Sequence, residues 1–296
     1  IIIRIIHGFS STIISTMIYS ITPSLCNDNE LALIMGYMEI SWTIGESLGP
    51  LIASFLYMIG GYGLTFYTVG LIILIGTYLL KYVNVKESED MEDKHISISN
   101  NLLNKDIFIQ YLVANTALIA ATFFLPSLTF HLIEKYKFSI EGSSRFFSLT
   151  CIGYFIALQI FPKILEQFSY YLPLWIGHIT MSIGILMVCP IRIFPQHWII
   201  IIFGILIIGN SQVVLVCCFL LLQIFCRKFN PYLDKETSND IASAIYIFGN
   251  NTGIIIGPLF SGFICDNMGM EASCYFFASI IFGFSCFIDF YYKDDI

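Results

Sequence analysis

Charge is the scarcest ingredient of this 296-residue chain. Asp, Glu, Lys and Arg make up 12% of it against 57% hydrophobic residues, where an average soluble domain carries about 25% charged residues. That shortage excludes a surface facing water on all sides and leaves lipid as the main solvent. Ten-residue stretches of alternating apolar and polar residues are missing too, which excludes an outer-membrane barrel. The nine cysteines contain no Cys-x-x-Cys pair and lie mostly inside apolar stretches. They read as small core residues, so neither a zinc or disulfide framework nor a cofactor is expected. No basic surface for nucleic acid is evident. Gly60-Gly61-Tyr62-Gly63 has no strand before it and no phosphate-loop lysine, and reads as a turn. There is no His-Glu-x-x-His and no pair of membrane aspartates, so an intramembrane enzyme is not the expectation. The chain opens on Ile rather than Met, without the charged start and small-residue cleavage site of a signal peptide. Its expected reading is a sequence whose true N-terminus is missing.

What is abundant is apolar length. A helix crosses a bilayer with about 20 apolar residues. Nine stretches qualify: 1–23, 33–58, 63–83, 107–133, 143–164, 170–190, 196–223, 239–265 and 272–292. The fold class predicted is therefore all-α, a polytopic membrane helix bundle. Residues 84–106 form the longest polar stretch and read as a flexible loop between domains, with 227–240 a second charged loop. Lys and Arg set the orientation. One side carries Lys81, Lys86, Lys94, Lys105, Lys163, Arg227, Lys228, Lys235 and Lys293; the other has Lys135, Lys137, Arg145 and Arg192. This bias puts the central loop and the C-terminus in the cytosol.

One motif occurs twice, 208 residues apart: Gly45-Glu-Ser-Leu-Gly49-Pro50-Leu51 and Gly253-Ile-Ile-Ile-Gly257-Pro258-Leu259. The echo continues through Phe55 and Phe263, Gly61 and Gly269, Tyr67 and Tyr275. Glycines one turn apart let another helix approach closely, and a proline removes an internal hydrogen bond and bends the helix. Gly45, Gly49, Pro50, Gly253, Gly257 and Pro258 are thus the candidate packing and gating residues. Two copies in register imply two similar halves, a common transporter design. Four stretches lie between the central loop and the second copy, but only one precedes the first. Equivalent halves would need three more helices before Ile1, twelve in all. The domains predicted are 1–83, a remnant of an N-terminal half-bundle; 84–106, a cytosolic loop; and 107–296, a six-helix C-terminal half-bundle.

Twelve helices in two halves around a long cytosolic loop resemble the major facilitator superfamily. Arg4-Ile-Ile-His-Gly8 is similar to that family's Arg-x-x-x-Gly motif of the fourth helix, with His7 where Gln is common. Gly45-x-x-x-Gly49-Pro50 is similar to the fifth-helix motif of its proton-coupled antiporters. Met35-Gly36, Glu39, Leu56-Tyr57, Gly60-Gly61-Tyr62 and Leu125-Pro126-Ser127-Leu128 resemble its vesicular amine and polyamine branch. The resemblance implies a multi-pass carrier in a vesicular or other endomembrane. The positions where monoamine carriers hold acids correspond here to Leu125, Gln212 and Ile247, none of which is charged. That departure argues against a monoamine.

Charge inside a span is costly and usually marks a pathway. Arg4, Glu39 and Glu46 are the candidate transport and coupling residues. Glu39 and Glu46 lie seven apart on one helix face, and a contact between Arg4 and Glu46 that loosens on protonation is expected. Snorkelling of Arg4 and static packing roles for the two acids remain open. Asn210, Gln212, Asn250 and Asn251 are the candidate cavity amides, with interhelical glue as the competing reading. Asn115, Gln159 and His178 read as core. The function expected is proton-coupled antiport of a small organic cation by a monomer, its partners being the solute, protons and the bilayer, with no nucleic acid. A facilitator or symporter of a neutral or anionic solute stays open, as does a transporter-like sensor that moves nothing.

Overall fold

In the computed structural model, residues 2–26, 28–82, 98–139, 142–143, 145–167, 169–189 and 197–292 are described. Helix α1 covers Ile2–Leu25 and α2 covers Asp28–Leu79, followed by a 3-10 turn at Leu80–Tyr82. After short α3 (Ile98–Leu102) come α4 (Lys105–Thr122), α5 (Leu125–Tyr136) and α6 (Ser148–Gln167). The remainder is α7 (Tyr171–Val188), α8 (Trp198–Ser211), α9 (Val213–Phe229) and α10 (Lys235–Tyr291). No strand occurs among the described residues.

Each interruption has a local cause. At 1.5 Å per residue, the 57 residues of α10 would reach about 85 Å, far beyond a bilayer core of roughly 30 Å. Such helices must turn back. In α10 the turn comes at Gly269 (φ 87°, ψ 165°), and in α2 at Gly60 and Gly61, the latter with φ 65°. Gly61 and Gly269 are partners in the 208-residue register, so the repeat carries over into backbone conformation. Each φ is one that only glycine adopts without strain. The backbone stays helical through Pro50 and Pro258. Between α4 and α5, Pro126 has no N–H for the carbonyl of Thr122, and α4 ends there.

Some expected boundaries shift. The segment 98–102, taken as loop, is helical; its Asn101 is buried and accepts from Asn230 Nδ2 at 2.7 Å. The charged loop 227–240 shrinks to 230–234, because α9 runs on to Phe229 and Asp234 caps α10 by accepting from the Thr237 N–H at 3.0 Å. The single span expected at 196–223 is broken at Gln212, whose N–H donates to Gly209 O at 3.1 Å.

The core lies among α4 to α10, where Phe123, Phe124, Tyr154, Phe219, Tyr246 and Phe277 are buried. Five helical stretches among the described residues are long and apolar enough to span a membrane. Their outer faces are greasy: Leu71, Ile72, Ile73, Leu74 and Ile75 are all exposed in succession, an arrangement stable in lipid and not in water.

The second copy of the motif packs as its spacing requires. Gly249, Gly253 and Gly257 form a smooth stripe on α10 against α4. A Cβ added to them would come within 2.9 Å of Tyr111 O, 2.5 Å of Asn115 O and 2.8 Å of Thr122 Oγ1 respectively. Asn115 locks the pair by donating from Nδ2 to Thr252 Oγ1 at 2.8 Å. The first copy differs. A Cβ on Gly45 or Gly49 would meet nothing within 4 Å, so among the described residues no helix packs on that face.

Candidate functional site

Glu39 sits on α2 with only 5% of its surface exposed. Its Oε1 accepts hydrogen bonds from two tyrosine hydroxyls, Tyr19 on α1 and Tyr246 on α10. The two rings lie 5.0 Å apart, and Phe219 of α9 stands edge-on to both, at 5.3 and 5.2 Å. Four helices therefore converge on one carboxylate. The arrangement follows from sequence spacing: Thr12, Ser15 and Tyr19 recur every three to four residues and give α1 one polar stripe. That stripe meets α10 along its length. Asn251 Nδ2 donates to Thr12 Oγ1 at 3.4 Å, and beyond the tyrosines the Ser20 hydroxyl donates to Asp240.

Next to this clasp is a cavity of about 50 Å³, room for a few waters. Ser15, Tyr19, Glu39, Trp42, Thr43, Glu46, Gln212, Asn250 and Asn251 line it, with Leu118, Ala121, Leu215, Ile247 and Ile254 as its apolar wall. Among the described residues no basic side chain joins that lining. Glu39 and Glu46 enter two turns apart, about 10 Å along the axis of α2. The Oδ1 of Asn250 is buried without a hydrogen-bond partner among the described residues. An acceptor of that kind, beside two carboxylates, is suited to a donor carried by a ligand or by water. A wider groove of about 560 Å³ adjoins it between α1 and α2, sharing Ser15, Tyr19 and Trp42 and reaching Ser10, Ser11 and His7.

The structure brings together Glu39, Glu46, Gln212, Asn250 and Asn251. It does not bring Asn210. That residue is exposed and lines a different groove with Thr180 and Ser211. The reason is angular: residues two apart on a helix differ by about 200°, so Asn210 and Gln212 face opposite ways. The break at Gln212 turns the latter into the cavity. The side chains of Arg4 and Pro50 lie outside the described residues, and with them the expected contact between Arg4 and Glu46. Of the three polar residues read as core, Asn115 and His178 are buried; His178 Nδ1 lies 2.8 Å from Leu174 O and Nε2 3.1 Å from Thr116 Oγ1. Gln159 is exposed instead. Gln212 and Ile247, two of the positions that the resemblance matched to acids of monoamine carriers, line the cavity uncharged, while Leu125 is not in its lining.

Sequence reasoning missed Tyr19, Tyr246 and Trp42. The polar stripe of α1 was the available signal for Tyr19. Tyr246 had none, one tyrosine among 17. Among the described residues no cluster of His, Cys, Asp and Glu could hold a metal ion.

Comparison with known proteins agrees with this architecture. The family model described as Major Facilitator Superfamily matches residues 1–225. The chain is 20% identical over 249 residues to the MFS-type transporter SLC18B1 of Mus musculus, covering 82% of this chain and 54% of that protein. It is 21% identical over 251 residues to the MFS-type transporter SLC18B1 of Homo sapiens, with the same coverage. The chain thus spans about half the length of the curated relatives it matches.

Proposed function

Because this chain belongs to the Major Facilitator Superfamily, we propose that its cavity, opening together with the adjoining groove of about 560 Å³, carries a small organic cation across a membrane in exchange for protons. The observation that carries this reading is a cavity lined, among the described residues, by two carboxylates, three amides and no basic side chain. A desolvated cation needs opposite charge close by, and a neutral amide wall alone does not supply it. Tyr19 and Trp42 add aromatic surface, which attracts ammonium groups. Two carboxylates about 10 Å apart along α2 favour a solute with more than one amine, polyamine-like rather than a monoamine.

The clasp then acts as the coupling element. As a carboxylate, Glu39 holds both tyrosine hydroxyls by charge-assisted hydrogen bonds and so ties α1 to α10. A proton arriving on Glu39 removes the charge, weakens both bonds and lets the helices part. The solute, held by Glu46 and the amides, leaves as the cavity changes access. In this reading residues 1–83 belong to one half and 107–296 to the other, joined by a cytosolic segment at 84–106, in a vesicular or other endomembrane. A second reading, passive movement of a neutral solute, draws on the uncharged Gln212 and Ile247 in the same lining.

The test is uptake of labelled polyamines by proteoliposomes holding the full-length protein under an imposed pH gradient. Uptake that collapses with the gradient, and with Glu46→Gln, supports exchange. Uptake indifferent to the gradient overturns it in favour of the passive reading.

A further inference from the structure

A second polar cluster lies outside the cavity lining, where the end of α9 meets the start of α10. Asn239, 0% exposed, accepts on Oδ1 from Arg227 Nη2 at 3.0 Å and from Gln223 Nε2 at 3.3 Å. A guanidinium has no acceptor, so the atom it touches must be the amide oxygen, and the orientation of Asn239 is settled. Its Nδ2 therefore points elsewhere. That Nδ2 and the Nε of Arg227 are both buried, and neither has a hydrogen-bond partner among the described residues.

Two buried donors thus sit on side chains already joined to each other, and one belongs to a permanent cation. Arg227 forms no ion pair among the described residues. Among the described residues, the acids next in sequence already hold other partners: Asp234 caps α10 through Thr237, and Asp240 accepts from Ser20. Glu236 is exposed in the first turn of α10. The carbonyl end of α9 favours a cation in its last turn but supplies no partner to Nε. Lys228 and Lys235 add positive charge at the same end of the helix pair. A buried unsatisfied donor costs about as much as a lost hydrogen bond, more so beside a charge.

We propose that Arg227 and Asn239 form an anion site for a phosphate group, free or as a lipid headgroup. An array of planar N–H groups matches tetrahedral oxyanions, each oxygen taking more than one donor. The bound anion ties α9 to α10, the helix that carries Asp240 and Tyr246, and so steadies the contacts with α1.

The test measures Tm of the full-length protein, delipidated in dodecyl maltoside micelles, as inorganic phosphate is raised, ionic strength being held constant with gluconate. A parallel arm uses the same micelles with added phosphatidylserine and no inorganic phosphate. A ligand that binds only the folded state raises Tm with the logarithm of its concentration. A rise in the first arm supports the site with free phosphate as the source; a rise only in the second supports it with a lipid source. Asn239→Asp places a carboxylate beside Arg227, so this variant should hold a raised Tm and lose the response. Arg227→Gln should lose it too; if that variant does not fold, Asn239→Asp still decides. Wild-type Tm flat in both arms, or Asn239→Asp responding as wild type does, overturns the proposal, a buried water then filling the donors.

Discussion

Glu39 makes its contacts through one oxygen, which is why single atoms matter around it. Glu39→Gln keeps an acceptor for Tyr19 and Tyr246 but removes the charge that a proton would neutralise. Gradient-driven uptake should be lost while the protein remains monodisperse; uptake still following the pH gradient at the wild-type rate would make Glu39 structural only. Tyr246→Phe leaves Oε1 with one hydroxyl donor. A hydrogen bond to a charged group is worth about 1.5–3 kcal/mol, so thermal unfolding should begin at a lower temperature in this variant. The parallel variant Tyr67→Phe alters a ring that is exposed, and should change Tm little. Much of this neighbourhood was legible in sequence. Glu39, Glu46, Gln212, Asn250 and Asn251 stood out because polar groups are rare in apolar helices. The tyrosines did not, because an aromatic ring is at home in lipid and its hydroxyl partner lay on another helix. Asn210 was misplaced by treating polarity alone as a guide to facing, where the helical angle between 210 and 212 already separates the two.

The helices show the repeat doing different work in its two copies. Gly253→Leu would drive a side chain into the Asn115 carbonyl, backbone that cannot swing aside. Overpacking of this kind costs about 1–3 kcal/mol, and the expected result is a clear fall in Tm. The matched change Gly49→Leu meets open space and should leave the Tm of this chain nearly unaltered. Equal losses at the two sites would mean that the face of α2 is covered. Gly269→Ala isolates backbone strain, since its Cβ would touch nothing yet φ is 87°. A cost of about 1–3 kcal/mol is expected from conformation alone. The glycine turns were readable because the register of the repeat pairs Gly61 with Gly269. The break near Phe123 had a signal in Pro126 that went unread, while the break at Gln212 lay hidden inside an apolar stretch of 28 residues.

At the scale of the molecule, the fold class followed from the shortage of charge, and the family from motifs spread along most of the chain. The contact of α1 with α10 did not follow. It joins residues more than 200 positions apart, Asn251 to Thr12 and Asp240 to Ser20, and local periodicity holds no information at that separation. The molecule's central prediction belongs to this contact. Cysteines placed at Ser20 and Asp240 should cross-link readily when the clasp is closed. Added substrate together with an acidic medium should slow that reaction; a rate insensitive to both would remove the clasp from the transport cycle.

Trp42 lines the cavity within the groove shared by α1 and α2, and the chain contains only three tryptophans. With Trp175 and Trp198 replaced by phenylalanine, its indole would be the sole emitter at long wavelength. The protein therefore holds its own optical reporter at the place where a solute would sit. Quenching or a blue shift on filling, followed in a stopped-flow cell, would time occupancy directly without label or gradient.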